Sequence, residues 1–283
     1  MVARRLDLDR LPPLPDVARR LLTMDEDAVG TRQVAEWVEL DPALAAHVVR
    51  HASSPVLGVR ERVHSIHEAI MRLGVNKVTE LALGLAATGA FHLPAHGPLG
   101  AHDFWRHAVF TAALMHRLAG LLPDFGATKP GMAYLAGLLH NIGLLALAHL
   151  EPEDFKALNR LAQDEPDTPL GELEQRLGVE DHTHLGARLL RHWRMPQATV
   201  VTAQAHHEPH YRGEMHTYAN LCNVAIGVVK EHLGIGDGDA GYAEGPALAA
   251  LGLDACQVNK EWEALCQFED DLHAAATALS NLG

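Results

Sequence analysis

Five histidines are the residues of this chain best placed to do chemistry: His107, His140, His182, His206 and His207. A neutral imidazole is a good ligand for iron, zinc, nickel and copper, and helical bundles build metal sites from inward-facing side chains on several helices. The flanks are Phe104-Trp105-Arg106-His107-Ala108-Val109, Gly137-Leu138-Leu139-His140-Asn141-Ile142-Gly143, His182-Thr183-His184-Leu185-Gly186 and His206-His207-Glu208-Pro209. Each residue also admits a plainer role, because a chain with 20 histidines offers chance matches. In their apolar flanks, His107 and His140 each read alone as core histidines bonded to backbone. On a helix His184 points away from His182, which makes it a surface residue. On a helix no more than one of His206 and His207 faces a given site. His51, His64, His67, His149 and His216 are read as packing or surface residues. Asn141 follows His140, and Asn223 lies in Leu221-Cys222-Asn223-Val224-Ala225. An Asn offers a metal only a neutral carbonyl oxygen, where Asp would offer a full negative charge.

These histidines must be positioned by helices. Asp41-Pro42 is an N-cap followed by Pro at the first helical position, and Ser65 with Glu68 forms a capping box ahead of a helix that Gly74 closes. Thr168-Pro169 opens a helix ending near Gly178, and Pro196 opens another that Pro209 ends. Apolar residues recur every three or four positions, with no alternating stretch, so the fold class is all-α. Three regions follow: an N-terminal bundle over 1–95, a second bundle over 96–230 that carries the histidines, and 231–283 with a Gly-rich loop and short helices. The two bundles are joined by the small-residue link Pro94 to Gly100. The Gly-rich stretch Gly234 to Gly241 reads as a mobile loop. Its Asp residues at alternate positions invite a calcium-loop reading, but the spacing and the closing Glu of such loops are missing.

Composition narrows the function. Of 283 residues, 48% are hydrophobic and 21% charged, which suits a globular chain with a real core. A formal net charge of -13 and the lack of a Lys/Arg cluster argue against nucleic acid, because phosphate neutralisation supplies most of that affinity. Cys222, Cys256 and Cys266 form no CxxC pattern, which points to a reducing compartment. No signal peptide is expected, and the uncharged run Tyr134 to Leu150 reads as a buried core helix, not a membrane span. A cytoplasmic location is the expectation.

The histidine flanks resemble the HD superfamily, and in particular its HDOD branch, the HD-related output domain. Leu11-Pro12-Pro13-Leu14-Pro15 is similar to the family's opening. Asp41-Pro42-Ala43-Leu44 with Arg50-His51-Ala52-Ser53-Ser54 is similar to its next segment, and Ala69 to Gly74 to its "AIxxLG" helix. Phe104 to His107, Ala136 to Gly143, His182 to Gly186, Trp193 to Pro196 and His206 to Pro209 continue the series in order. The resemblance covers roughly residues 11 to 212. It implies an N-terminal helical bundle packed on an HD-like bundle, in a bacterial signalling module generally without hydrolase activity.

By that resemblance His107, His140, His182, His206 and His207 take metal-ligand places, for iron, zinc, manganese or nickel, with no catalytic residue assigned. Asn141 takes the place of the HD aspartate, and Asn223 falls where the last aspartate is usual. Without those carboxylates a cation pair that activates water for attack on phosphorus should be poorly held. The expectation is therefore a non-catalytic regulatory module with a degenerate metal site, acting on a protein partner or small ligand. The alternatives are a His-rich metal phosphohydrolase and a structural metal relic. His210-Tyr211-Arg212-Gly213 replaces the Asp-Gly-x-Gly-Tyr-Pro run of HD-GYP phosphodiesterases, which disfavours cyclic-di-GMP hydrolysis.

Overall fold

The Asp41-Pro42 signal works as the sequence predicts. The Asp41 carboxylate accepts from the amides of Ala43 and Leu44, both at 3.0 Å, at the head of a helix whose first residue is Pro42. Ser65 caps its helix through the Glu68 amide, while the Glu68 carboxylate reaches back to the His64 amide, one residue before the cap. A computed structural model describes residues 5–24, 30–58, 62–89, 91–122, 128–238 and 242–280. Among them there are helices and turns but no strand.

The N-terminal helices are α1 (Asp16–Thr23), α2 (Thr31–Glu39), α3 (Pro42–Ala52), α4 (Ile66–Leu73) and α5 (Val75–Thr88). The second bundle comprises α6 (Ala101–Ala119), α7 (Pro130–Leu139), α8 (Ile142–Leu150), α9 (Pro152–Asp164), α10 (Leu170–Leu177), α11 (His182–His192), α12 (Gln197–Ala205) and α13 (His216–Leu233). Three short helices follow: α14 (Pro246–Leu251), α15 (Ala255–Cys266) and α16 (Glu269–Ser280). Helix α5 packs on both α3 and α7, and a continuous apolar core runs from Leu6 to Leu279 through both bundles. The link between the bundles is pinned by Asn159, whose side chain accepts from the Leu99 amide at 2.9 Å and donates to the His96 carbonyl at 2.8 Å.

Helix α7 lies at the centre, against α5, α6 and α12. The run 130–150 is the one described segment long and apolar enough to cross a membrane, and 94% of its most apolar window is buried within the protein. Leu135, Leu138, Leu139 and Leu144 are almost wholly buried, each contributing about 1.5–3 kcal/mol of hydrophobic stabilisation. The run turns at His140 and Asn141, and α8 then lies along α11. That contact requires glycine: a Cβ on Gly143 would overlap the His182 carbonyl, and the facing residue of α11 is Gly186. Beyond α13, the last helices close over α6. Trp262 packs on Phe110 at 5.9 Å, and Arg117 pairs with Glu261 at 2.6 Å.

Candidate metal centre

Helix ends bring the histidines together. His107 projects from the middle of α6. His140 caps the C-terminus of α7, and the α6–α7 packing sets the two Nε2 atoms 3.0 Å apart. His182 is the first residue of α11, fixed by its N-cap Asp181 and by the Gly143 contact. His206 and His207 lie just past α12. Because that helix ends at Ala205, the condition under which only one of the pair could face inward is not met. Their ring centroids are 4.2 Å apart and both Nε2 atoms face the same carboxylate. His184 is exposed, as expected.

That carboxylate belongs to Asp237, in the Gly-rich stretch expected to be mobile and without chemistry. The expectation of a site without acidic side chains therefore does not hold. The Asp237 side chain is 3% exposed. Its Oδ1 lies 3.1 Å from His107 Nε2; its Oδ2 lies 3.2 Å from His207, 3.5 Å from His182 and 3.9 Å from His206. Asn141 donates to the same Oδ2 at 2.8 Å. An Asp at position 141 would instead set two like charges against each other, so the two residues are chemically matched. Asn223 behaves differently: its amide donates to the His206 carbonyl at 2.8 Å and braces the turn that carries the histidine pair.

Backbone and buried acids fix the tautomers. His140 Nδ1 donates to the Gly137 carbonyl at 2.6 Å, and His206 Nδ1 to the carbonyls of Thr202 and Ala203 at 3.1 and 3.0 Å. His182 Nδ1 meets both oxygens of the buried Glu174 at 3.0 Å. In the neutral rings each Nε2 then turns a lone pair toward the centre. His182 Nε2 and His206 Nε2 are buried with no hydrogen-bond partner, as is Asn141 Oδ1. Once the protons they carry are displaced, the imidazoles and one carboxylate at this buried point turn several electron pairs toward a common centre. Such a donor set fits a divalent transition-metal ion. The residues that could contribute are His182, His206, His207 and Asp237 on one side, and His107 and His140 with the same Asp237 on the other. Glu174 behind His182 is the outer carboxylate that orients a ligating imidazole.

The protonation pattern follows from this layout. Burial, then the neighbouring His107 and His206, holds His140 well below the ordinary imidazole value. Burial and the adjacent His207 bring His206 down to about 4. Burial also opposes charge on His182, but Glu174, Asp237 and Asp181 outweigh it and raise it to about 9. Burial pushes Asp237 up, yet the His207 charge and hydrogen bonds from the surrounding imidazoles hold it well below the usual carboxylate range.

Two of these residues escaped the sequence. Glu174 carries a faint signal, since it occupies a core position in the stripe Leu170, Leu173, Glu174, Leu177. Asp237 carries none beyond its flanking glycines, because its role depends on where the α13 loop returns.

Imidazoles delivered by α6, the α7–α8 turn, α11 and the end of α12 onto one buried point define an HD-like helical domain. The chain belongs to the HDOD domain family, whose model matches residues 11–209. It is similar to the solved structure of a candidate signal transduction protein from Marinobacter aquaeolei VT8, at 33% identity and a TM-score of 0.82, over 98% of this chain and 62% of that one. A candidate phosphohydrolase from Shewanella amazonensis SB2B shares the fold at 23% identity and a TM-score of 0.74, over 96% of each chain. An uncharacterized protein of Treponema pallidum (strain Nichols) is 25% identical over 207 residues, or 71% of this chain. This chain spans only 39% of that relative's length.

Proposed function

We propose that this chain is a regulatory signalling module whose buried His/Asp centre holds a divalent transition metal as a structural and regulatory element, not as a hydrolytic one. The observation that carries the reading is the placement of Asp237: its carboxylate fills the middle of the imidazole cluster, where a hydrolase needs room for an attacking water and a phosphoester. His140, His182 and His206 are wholly buried around it. Membership of the HDOD family and the likeness to the Marinobacter protein support a signalling role. An ion at this centre would supply cross-linking of helices from distant parts of the chain. His182, His206 and His207 with Asp237, or His107 and His140 with the same Asp237, would hold it, Glu174 would fix the His182 ring, and Asn141 would hold the Asp237 carboxylate in register.

The second reading is a metal-dependent phosphohydrolase. It gains from Asp237, which restores one carboxylate to the centre, and from the fold shared with the Shewanella protein. One experiment separates the two. Metal content of the purified protein is measured, and generic phosphoesters are screened with manganese, iron or nickel. Bound metal without turnover is the expected result. Turnover that disappears in His140→Ala would overturn the regulatory reading.

A further inference from the structure

The imidazoles stand on packed helices, but the carboxylate they share stands on a loop, and that loop is also the wall of a cavity. Residues 234–238 line a space of about 260 Å³ together with Leu99, Asp103, Thr168, Leu170 and Lys230. Two of these residues also face the His/Asp centre: Gly236 lies against the His107 ring, and Asp237 points into the cluster. The loop is seated by close approach. Gly236 has φ of 88°, and a Cβ there would overlap the His107 ring, which is itself hemmed in by His140 and Asp237. Its polar contacts centre on one side chain: Lys230 Nζ donates to the Gly236 carbonyl at 3.3 Å, while Asn141, His107 and His207 meet the Asp237 carboxylate at 2.8, 3.1 and 3.2 Å. The segment also lies outside the part of the chain that matches the family, 11–209.

We propose that residues 234–238 form a metal-dependent latch, in which an ion held by the imidazoles is completed by Asp237, so that metal occupancy and the seating of the cavity wall rise and fall together. The latch rests on the metal reading above and adds its regulatory consequence. Coupling of two events through one group is reciprocal: whatever unseats the loop weakens the ion, and the ion holds the loop down. A helix-borne carboxylate would leave metal occupancy without effect on the loop. Asp237 converts it into the state of a surface opening.

The test uses the full chain, stripped with chelator and then loaded with cobalt(II). Cobalt binding is followed by its visible spectrum and by metal analysis, and loop seating by hydrogen exchange of the 234–238 amides. Cobalt should slow exchange there by about tenfold or more, and leave the α6 amides unchanged. Asp237→Ala should weaken cobalt by about tenfold or more and abolish the effect on the loop. Gly236→Ala deletes no ligand side chain, but its Cβ would strike the His107 ring and keep the loop from seating, and it should weaken cobalt to a similar extent. Wild-type cobalt affinity in Gly236→Ala or Asp237→Ala overturns the latch, and so does bound cobalt with no change in loop exchange. A wild-type chain that takes up no cobalt sinks the metal reading itself, and the latch with it.

Discussion

Two groups of buried histidines lie in this molecule, and they have little in common chemically. At the junction of the bundles, His51 of α3 meets the Tyr134 hydroxyl of α7 at 3.2 Å, and His116 of α6 lies edge-on to the same ring at 6.5 Å. Burial, then the neighbouring His47 and Arg50, drives His51 down to about 3; burial, with Lys77 and Arg117 adding to it against a hydrogen bond to the Pro130 backbone, brings His116 to about 4. Both are neutral packing groups at ordinary pH. In the second group the same burial acts on His182, yet the buried acids raise it to about 9. Burial alone makes a histidine inert; a carboxylate brought to the same depth makes it a ligand or a cation.

The comparison can be broken most directly by removing one histidine from each group. His140→Ala should lower metal affinity by about two orders of magnitude or more, while His51→Ala should leave metal uptake unchanged at the cost of stability. Metal analysis after dialysis against a buffered ion checks both. Loss of metal in His51→Ala would erase the distinction.

A somewhat smaller effect is expected at the outer carboxylate. Glu174→Gln keeps the shape of the side chain but removes the charge that orients His182, and metal affinity should fall about 10- to 100-fold. Isothermal titration with nickel or zinc reads that change.

The pH dependence of the metal-free protein divides between the groups. His51 and His116 have folded values below the ordinary 6.5, so the unfolded chain binds more protons and stability falls as pH drops from about 6.5 toward 4. His182 has the opposite sign: its contribution is complete below about 6.5 and is lost as pH rises through about 9. Denaturant midpoints across pH should therefore show an acid limb blunted by His116→Phe and an alkaline limb blunted by Glu174→Gln.

The smallest effects sharpen the difference between the two asparagines. Asn141→Asp should destabilise the metal-free protein by about 1–3 kcal/mol, because it faces Asp237, and should raise metal affinity. Asn223→Asp should destabilise without raising affinity, since it sets an acceptor against the His206 carbonyl. Thermal melts with and without metal distinguish them.

Most of the helical frame was legible in the sequence, because caps and breakers act locally. Asp41-Pro42, Ser65 and Gly74 act on the backbone within a few residues of themselves, and each does what its chemistry predicts. The five histidines were legible too, from their flanks and order. The centre as a whole was not. Asp237 reaches His107 across 130 positions of chain, the core position of Glu174 does not say which histidine it meets, and the histidine pair leaves the helix one residue before helical geometry would have split it. Each of these depends on where elements meet in space, which periodicity does not encode.

The position of Asp237 beyond residue 209 has a practical consequence for anyone dissecting this protein. A fragment trimmed at the homology boundary would keep all five imidazoles and discard the carboxylate that, among the described residues, they share. Its behaviour toward metals would describe the fragment, and alignments that stop at the same boundary would compare orthologues with the decisive side chain cropped out of view.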